Sequence, residues 1–550
     1  MKLFREAREG LSSFTVRERR NIAIYVCGIM LYKFGLEAFN GSIIALATNR
    51  YDYHAQQNNT TAKTFERTGL LTSLNQAFQC MGSILIAPLV KRFPTKTVLS
   101  SAILLFAVCT AILLILDAST GGTIIPDNWL KTHKKNDFSY YGTYNTDAMI
   151  PIYSAAGIVY GMVELIRRVI PRDIVGGDVK KLKRMDALVH IFYEISGTAG
   201  AFTTGLVLIP TLGNNFSFII TPCCFGCACV VWRFIDEPGF EMKNRKRERG
   251  RLEETEKVSY FWQLVIAARL FLDSVWTGMK IVFSRRRFVW LVSGYSIALY
   301  AHRFLENAIC PAIAKRYLDN SAWSQIMAGG SNLGELLGAL SVFLFTSLVP
   351  TPMPFLRLDA IFLFIIWYFP FWHPQPGRVI EAWRAAATLI PVSFGWAAGD
   401  VSISAYIQSS LSRFDSTSAM SENVSALGAV MAFLYTTYIV TYAITSPLLG
   451  RYLDAMYART GGSEGGDIRE GVKYIGGVQF TIVAALVLVS TMVPKGAVSW
   501  NPKALGEGNG GQKNDKEGLG DVQAGFDVEV LEGKDKGRAM NGGEMAEESK

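Results

Sequence analysis

The hydrophobic positions of this 550-residue chain fall into long, nearly unbroken blocks rather than into alternating positions or narrow helical stripes. Each block runs to about 20 residues, the length at which an α-helix crosses the hydrocarbon core of a bilayer. Six are read over 21–48, 69–90, 97–118, 149–170, 186–210 and 216–236. Six more follow over 288–312, 324–349, 355–373, 381–408, 422–449 and 473–493. Helix is forced on every block, because the bilayer core holds no water to satisfy a lone backbone N–H or C=O. The expected fold is all-α: an integral membrane protein of twelve transmembrane helices in two pseudo-symmetric six-helix halves.

What lies between the blocks sets the domain plan. Residues 1–20 are polar and basic and read as a cytosolic N-terminal segment, ahead of halves at 21–236 and 288–493. No cleavable leader is expected, since the first apolar block is too long for a signal core. The linker 237–287 opens with a charged run around Lys243 and Arg249 and turns apolar again over 258–283. A thirteenth span there would invert the second half. Against it, Arg269, Asp273, Thr277 and Lys280 recur at helical spacing and make one polar stripe, the mark of an amphipathic helix lying at the membrane surface. The tail 494–550 is rich in Gly, Lys, Glu and Asp and reads as disordered and cytosolic.

Composition supports the lipid reading: half the residues are hydrophobic and only 18% are charged. The net charge of +9 is spread between apolar blocks and not gathered on one soluble face, so nucleic acid is not expected as a partner. Basic residues are densest at Lys91, Arg92 and Lys96, in the stretch from Arg167 to Arg184, and in the central linker. Loops 49–68 and 119–148 are longer and poorer in them. By the positive-inside rule both termini are expected in the cytosol. Sequons at Asn58, Asn59 and Asn215 fall in expected exterior loops and would make the chain a glycoprotein. A fourth, at Asn423, falls on the expected cytosolic side and should stay unmodified. Plasma and vacuolar membranes both fit.

Eight cysteines make no disulfide framework, and the run CCFGCAC from Cys223 to Cys229 lacks a nearby His or carboxylate, so helix packing outweighs metal binding. No GxxxxGK[ST] phosphate loop, HExxH motif or nucleophile–base pair is present, so neither an ATP-driven pump nor an enzyme is indicated, and no metal or other cofactor is expected.

The stretch Ala87-Pro-Leu-Val-Lys-Arg-Phe-Pro-Thr-Lys96, between spans 2 and 3, resembles the GxLaDrxGrk loop of the major facilitator superfamily. Leu89, Arg92 and Lys96 fit that pattern. Ala87 and Pro94 replace its glycines and Lys91 its acid, which puts in doubt any gating ion pair that acid would make. The six-plus-six layout with a long basic linker is also similar to that family, including fungal members of unknown substrate. Spans 1 and 7 resemble each other weakly, LYKFGLEAFNGSIIALATNRYD beside LYAHRFLENAICPAIAKRYLD. The resemblance implies a central cavity lined by spans 1, 4, 7 and 10 with 2, 5, 8 and 11, and secondary transport of a small solute.

Charges inside a bilayer are expensive, so each is a candidate for function. Span 1 carries Lys33 and Glu37 on one face, with Asn40 a turn on. Span 5 carries His190 and Glu194, and span 7 carries His302, Arg303, Glu306 and Asn307. A histidine four residues before a carboxylate can share a proton with it near neutral pH, which suggests proton coupling at either pair. Glu335 in span 8 and Asp400 in span 10 sit among small residues and need partners from other helices. Arg92, Arg167 and Arg168 read as a cytosolic gate, or as topology signals that snorkel to the interface. The lone ion pairs have a plainer reading too, as neutralised charges that only permit insertion. The expectation is a monomeric alternating-access transporter, proton-coupled and of the symport type, for a small polar or anionic solute. The alternatives are a sensor that kept the fold but only binds, and a membrane-embedded enzyme or scramblase.

Overall fold

The computed structural model describes residues 14–503 and 505, less 134–135, 176–178, 237–259, 346–347, 416–425 and 463–464. Among these residues every regular element is helical. Spans 1 to 6 are Val16–Gln57, Thr64–Arg92, Thr95–Ser119, Met149–Val175, Val179–Thr203 with a continuation to 212, and Ser217–Arg233. Spans 7 to 12 are 286–316, Ser324–Phe345, Met353–Phe371, Val379–Asp415, Ala426–Arg459 and Arg469–Ser490. All twelve blocks of the sequence are therefore helices, mostly longer than read. Span 1 has 42 residues and begins at a capping box, in which the Thr15 hydroxyl accepts from the Glu18 N–H and Glu18 accepts from the Thr15 N–H.

Two hydrophobic cores form, one within residues 14–235 and one within 282–505 to which Phe65 is added. Glycine spacing sets the packing inside each. In span 8 a Cβ at Gly330, Gly334 or Gly338 would lie 2.5, 2.4 and 2.4 Å from the carbonyl oxygens of Ala386, Ile390 and Phe394 in span 10. Three glycines at four-residue intervals thus let two backbones touch, the close approach that drives helix association where lipid is the solvent. The first half repeats the device: Gly157 and Gly161 of span 4 meet the carbonyls of Asn75 and Gln79 in span 2.

Both halves run the same way. Asn21 at the start of span 1 exchanges hydrogen bonds with the backbone of Asp236 beyond span 6, and Arg286 at the start of span 7 donates to the Val493 carbonyl beyond span 12. At the opposite ends of spans 1 and 7, Asp52 pairs with Arg316. The linker therefore leaves and returns at one end of the molecule, here the linker end, and adds no net crossing. Its helix Tyr260–Ser284 packs against spans 2 and 11, one from each half, with Gly278 against the Ala429 carbonyl and Phe283 edge-on to Phe433. Arg269 and Asp273 of the polar stripe are exposed and 3.9 Å apart, and Lys280 lies 5.4 Å from the Trp276 ring.

The expected disorder of 494–550 is corrected at its start. Arg357 of span 9 donates to the carbonyls of Ser499, Trp500 and Ala497, while Thr351 donates to that of Pro502. A buried guanidinium needs several acceptors, and backbone carbonyls of the segment after span 12 supply them. Residues 506–550, the linker run around Lys243, residues 1–13 and Asn423 lie outside the described residues.

Candidate functional site

Halfway along span 1, Lys33 and Glu37 form an ion pair, and the Lys33 ammonium sits 4.5 Å from the Tyr193 ring of span 5. Arg167 lies 4.6 Å from the same ring, so one phenol is held between two cations. Arg167 is itself clamped by Glu164 through Nε at 2.7 Å and Nη2 at 2.6 Å, and the Tyr32 hydroxyl donates to Glu164 at 3.0 Å. This corrects the reading of Arg167 as a group that snorkels to the interface. Span 4 continues past it to Val175, and both members of the pair are largely buried. Asn40 accepts from Tyr153 of span 4 at 2.9 Å, which ties it within the first half.

Span 5 places His190 Nδ1 3.9 Å from Glu194. Glu194 is only 2% exposed, and its second oxygen, like His190 Nε2, has no hydrogen-bond partner. Spans 5 and 8 cross the seam between the halves in an antiparallel register that three contacts fix. Gly205 meets Gln325, Phe202 meets Gly329, and Gly197 meets Asn332 beside the Lys33 side chain.

Span 7 is not a uniform helix. Two wide-turn π segments, Val292–Ile297 and Leu305–Ile309, flank the α-helical turns Ala298–Phe304. Arg303 Nη1 donates to Glu306 at 2.8 Å as the spacing predicts. The other Glu306 oxygen accepts from Ser331 of span 8 at 2.6 Å, and Ser331 in turn meets Ser393 of span 10 at 2.7 Å. The Asn307 amide donates back to the Arg303 carbonyl. The Arg303 side chain, midway along span 7, is 41% exposed, and that of His190, about a third of the way along span 5, is 38%. Arg303 has Tyr160 of the first half and Glu335 of the second as electrostatic neighbours, so a polar chamber lies between the halves there.

His302 does not share a proton with Glu306. Its Nε2 sits 2.9 Å from Asp359 of span 9, and its ring stacks on Trp396 at 5.0 Å, inside the core of the second half. The sequence reading missed Asp359 because it assumed an unbroken helical period through residue 306 and sought a partner on the same helix. Closer to the linker end, Arg168 reaches across the seam to the Tyr435 hydroxyl at 3.5 Å. Asp400 lies in the electrostatic neighbourhood of Arg168, His190 and Arg303, with one carboxylate oxygen unpartnered. Arg92 ends span 2 and is exposed at the linker end.

The opposite end is shut by residues the sequence reading did not select. Asp52 of span 1 takes both terminal nitrogens of Arg316 at 2.7 Å, Thr64 donates to it as well, and Lys315 stands 3.6 Å away. Lys315 also donates to Asn49 and Asn136. Asp454 of span 11 accepts the backbone N–H groups of Phe65 and Glu66 and so caps the start of span 2 from the other half. Gly450 against the Phe65 carbonyl and Gly41 against Gln325 complete the closure. The weak repeat of spans 1 and 7 ends in Asn49-Arg-Tyr-Asp52 and Lys315-Arg-Tyr, and that was the available signal.

Of the sequons, Asn58 and Asn59 are exposed just beyond span 1. Asn215 is corrected: it is fully buried, and its amide donates to Asp117 and to the Thr123 carbonyl, leaving no room for a glycan. Cys224 and Cys229 are buried while Cys223 and Cys227 are exposed, all as free thiols.

Twelve helices in two like-oriented halves, closed at one end over a polar chamber, match a known architecture. The family profile described as Major Facilitator Superfamily matches residues 25–433. The chain belongs to the Major Facilitator Superfamily. It is accordingly a membrane transporter and not an enzyme. Among solved members of this superfamily, a D-xylose–proton symporter aligns with a TM-score of 0.54 at 11% identity, over 85% of this chain and 96% of its own. The nucleoside transporter NupG gives 0.51 at 11% identity, over 84% and 98%. A peptide transporter POT in complex with sulfate gives 0.53 at 12%, over 86% and 94%. These likenesses share the fold alone. No individually curated protein matches the chain.

Proposed function

We propose that this superfamily member carries a small polar solute by alternating access and couples its movement to protons at the midspan chamber. The observation that carries the reading is the exposure of Arg303 and His190, one from each half, at the level where Lys33–Glu37 and Arg303–Glu306 are paired. Water-accessible charges within lipid-length helices have a function other than packing. Protonation of Glu306 would free Arg303 and loosen the Ser331 and Ser393 contacts to spans 8 and 10, which biases one facing over the other.

The basic residues give little support to an anionic solute, since Lys33, Arg303 and Arg167 are each engaged by an acid. The charge distribution of the loops puts the linker end in the cytosol, with both termini, so the closed end is exterior and the chamber faces inward. On that reading Asn58 and Asn59 remain the glycan sites, in a plasma or vacuolar membrane, and the carrier works as a monomer.

The test is proton movement in proteoliposomes while a panel of metabolites is presented, wild type beside Glu306→Gln. Solute-dependent proton flux that disappears in the variant supports the reading. Unchanged flux removes Glu306 from coupling, and silence across the panel with correctly oriented protein favours the sensor that binds without transporting.

A further inference from the structure

We propose that Glu194 of span 5 and Glu335 of span 8 form a binding pair for a protonated amine, so that the solute is an organic cation and the proton its competitor. This rests on the transport reading above and names the class of solute for the same chamber.

Register is the first argument. Gly205 lies against Gln325, Phe202 against Gly329, and Gly197 against Asn332. As span 5 is followed back towards its start, span 8 advances, in step, towards its end. One turn beyond the last contact in each helix stand Glu194 and Glu335, opposite one another across the seam. Glu194 is among the electrostatic neighbours of Glu335.

Charge balance is the second. The groups facing this pair are Lys33 and Glu37 from span 1, Arg167 from span 4, His190 from span 5, and Arg303 and Glu306 from span 7. Lys33 is held by Glu37, Arg303 by Glu306, and Arg167 by Glu164. Each of these three permanent cations thus has its own carboxylate, and Glu194, with only His190 beside it at 3.9 Å, and Glu335 are left over. Two carboxylates facing each other in a low-dielectric site repel strongly unless a positive charge lies between them.

The third is an unmade bond. Glu194 is 2% exposed, and its Oε2 is buried with no hydrogen-bond partner. A buried carboxylate oxygen left without a donor costs free energy, and an ammonium offers three donors. The amine binds when both carboxylates are ionised, and a proton on either one expels it. Coupling at this pair is therefore exchange of amine against proton.

The experiment is calorimetric titration of the purified full-length protein with agmatine and phenethylamine, and with glutarate and xylose as uncharged-or-anionic counterparts. Wild type, Glu194→Gln, Glu335→Gln and the charge-keeping Glu194→Asp are compared, with unfolding temperature as the check on folding. Expected is saturable binding of an amine that weakens about tenfold between about pH 8 and about pH 6. Each Gln variant should lose at least about tenfold in affinity together with the pH dependence, and Glu194→Asp should retain part of both. Amine binding that is indifferent to both Gln substitutions overturns the proposal. So does binding of glutarate or xylose, but not of either amine, by protein that still moves protons in proteoliposomes; there the transport reading stands alone. Absence of both binding and proton movement sinks the two together.

Discussion

Asp52 and Arg316, the last charged residues of spans 1 and 7, meet in a two-pronged ion pair with both N–O distances at 2.7 Å. Each is largely buried, and the Arg316 guanidinium also stacks on Tyr457 at 3.9 Å. The pair joins the two halves where the chamber is closed. Replacing Asp52 by Asn leaves Arg316 buried without its counter-charge, which costs about 3–5 kcal/mol in the closed form. The expected outcome is a lower unfolding temperature together with faster labelling, by a charged thiol reagent, of a cysteine placed at Asn49. Arg316→Lys should not restore the wild-type values, because a point charge cannot make both bonds at once. Labelling as slow as in wild type would show that the pair does not hold that end shut.

Gly450 gives an independent handle on the same closure. A Cβ there would lie 2.2 Å from the Phe65 carbonyl oxygen, which is backbone and cannot swing aside. Gly450→Val should prevent span 11 from approaching span 2 and populate the opposite facing. An overpacked contact of this kind costs about 1–3 kcal/mol, enough to shift a balanced two-state equilibrium by about fivefold to about 150-fold. Distances between spin labels at the ends of spans 2 and 11 would report it. An unchanged distance distribution with intact folding would mean that this contact is not rate- or state-determining.

The buried pair of His302 and Asp359 predicts a loss of stability without a specific transport phenotype. Asp359 is 0% exposed, and one of its oxygens already lacks a partner. His302→Ala removes the remaining side-chain partner and the stacking on Trp396, and is expected to destabilise by about 3–5 kcal/mol. Adding Asp359→Asn should recover part of that loss, since a neutral amide is cheaper to bury than a lone carboxylate. Thermal unfolding of the two single variants and the double variant reads the coupling directly. If His302→Gln abolishes proton flux while leaving the unfolding temperature unchanged, His302 belongs to the proton pathway after all.

The sequence revealed helices readily and their contacts selectively. Twelve lipid-length blocks are legible because hydrocarbon permits little besides helix. Lys33–Glu37 and Arg303–Glu306 are legible because each pair lies within one turn of one helix. His302 was assigned to the wrong acid because the π segment at Leu305–Ile309 breaks the period that the inference used, and Asp359 is 57 residues away. Asp52 and Arg316 are 264 residues apart on different helices, so only the faint likeness of spans 1 and 7 hinted at them. Asn215 fits a sequon in a short loop, and nothing local says that Asp117 will bury it.

Lys33 and Glu37 allow the plain insertion role to be separated from a functional one. If the pair only neutralises two charges in span 1, removing both should be close to neutral for folding and for transport. The geometry argues otherwise, because Lys33 also faces the Tyr193 ring and packs against Gly197 where Asn332 of the second half approaches. Lys33→Gln alone leaves Glu37 unpaired and should lower the unfolding temperature. Lys33→Gln with Glu37→Gln should restore most of that stability, since neither charge then needs a partner. Proton-coupled flux, by contrast, should remain lost in the double variant, because the chamber then lacks the ammonium held over the Tyr193 ring beside the seam. Recovery of flux along with stability would assign the pair to insertion alone and move the working part of the chamber to Arg303 and Glu306.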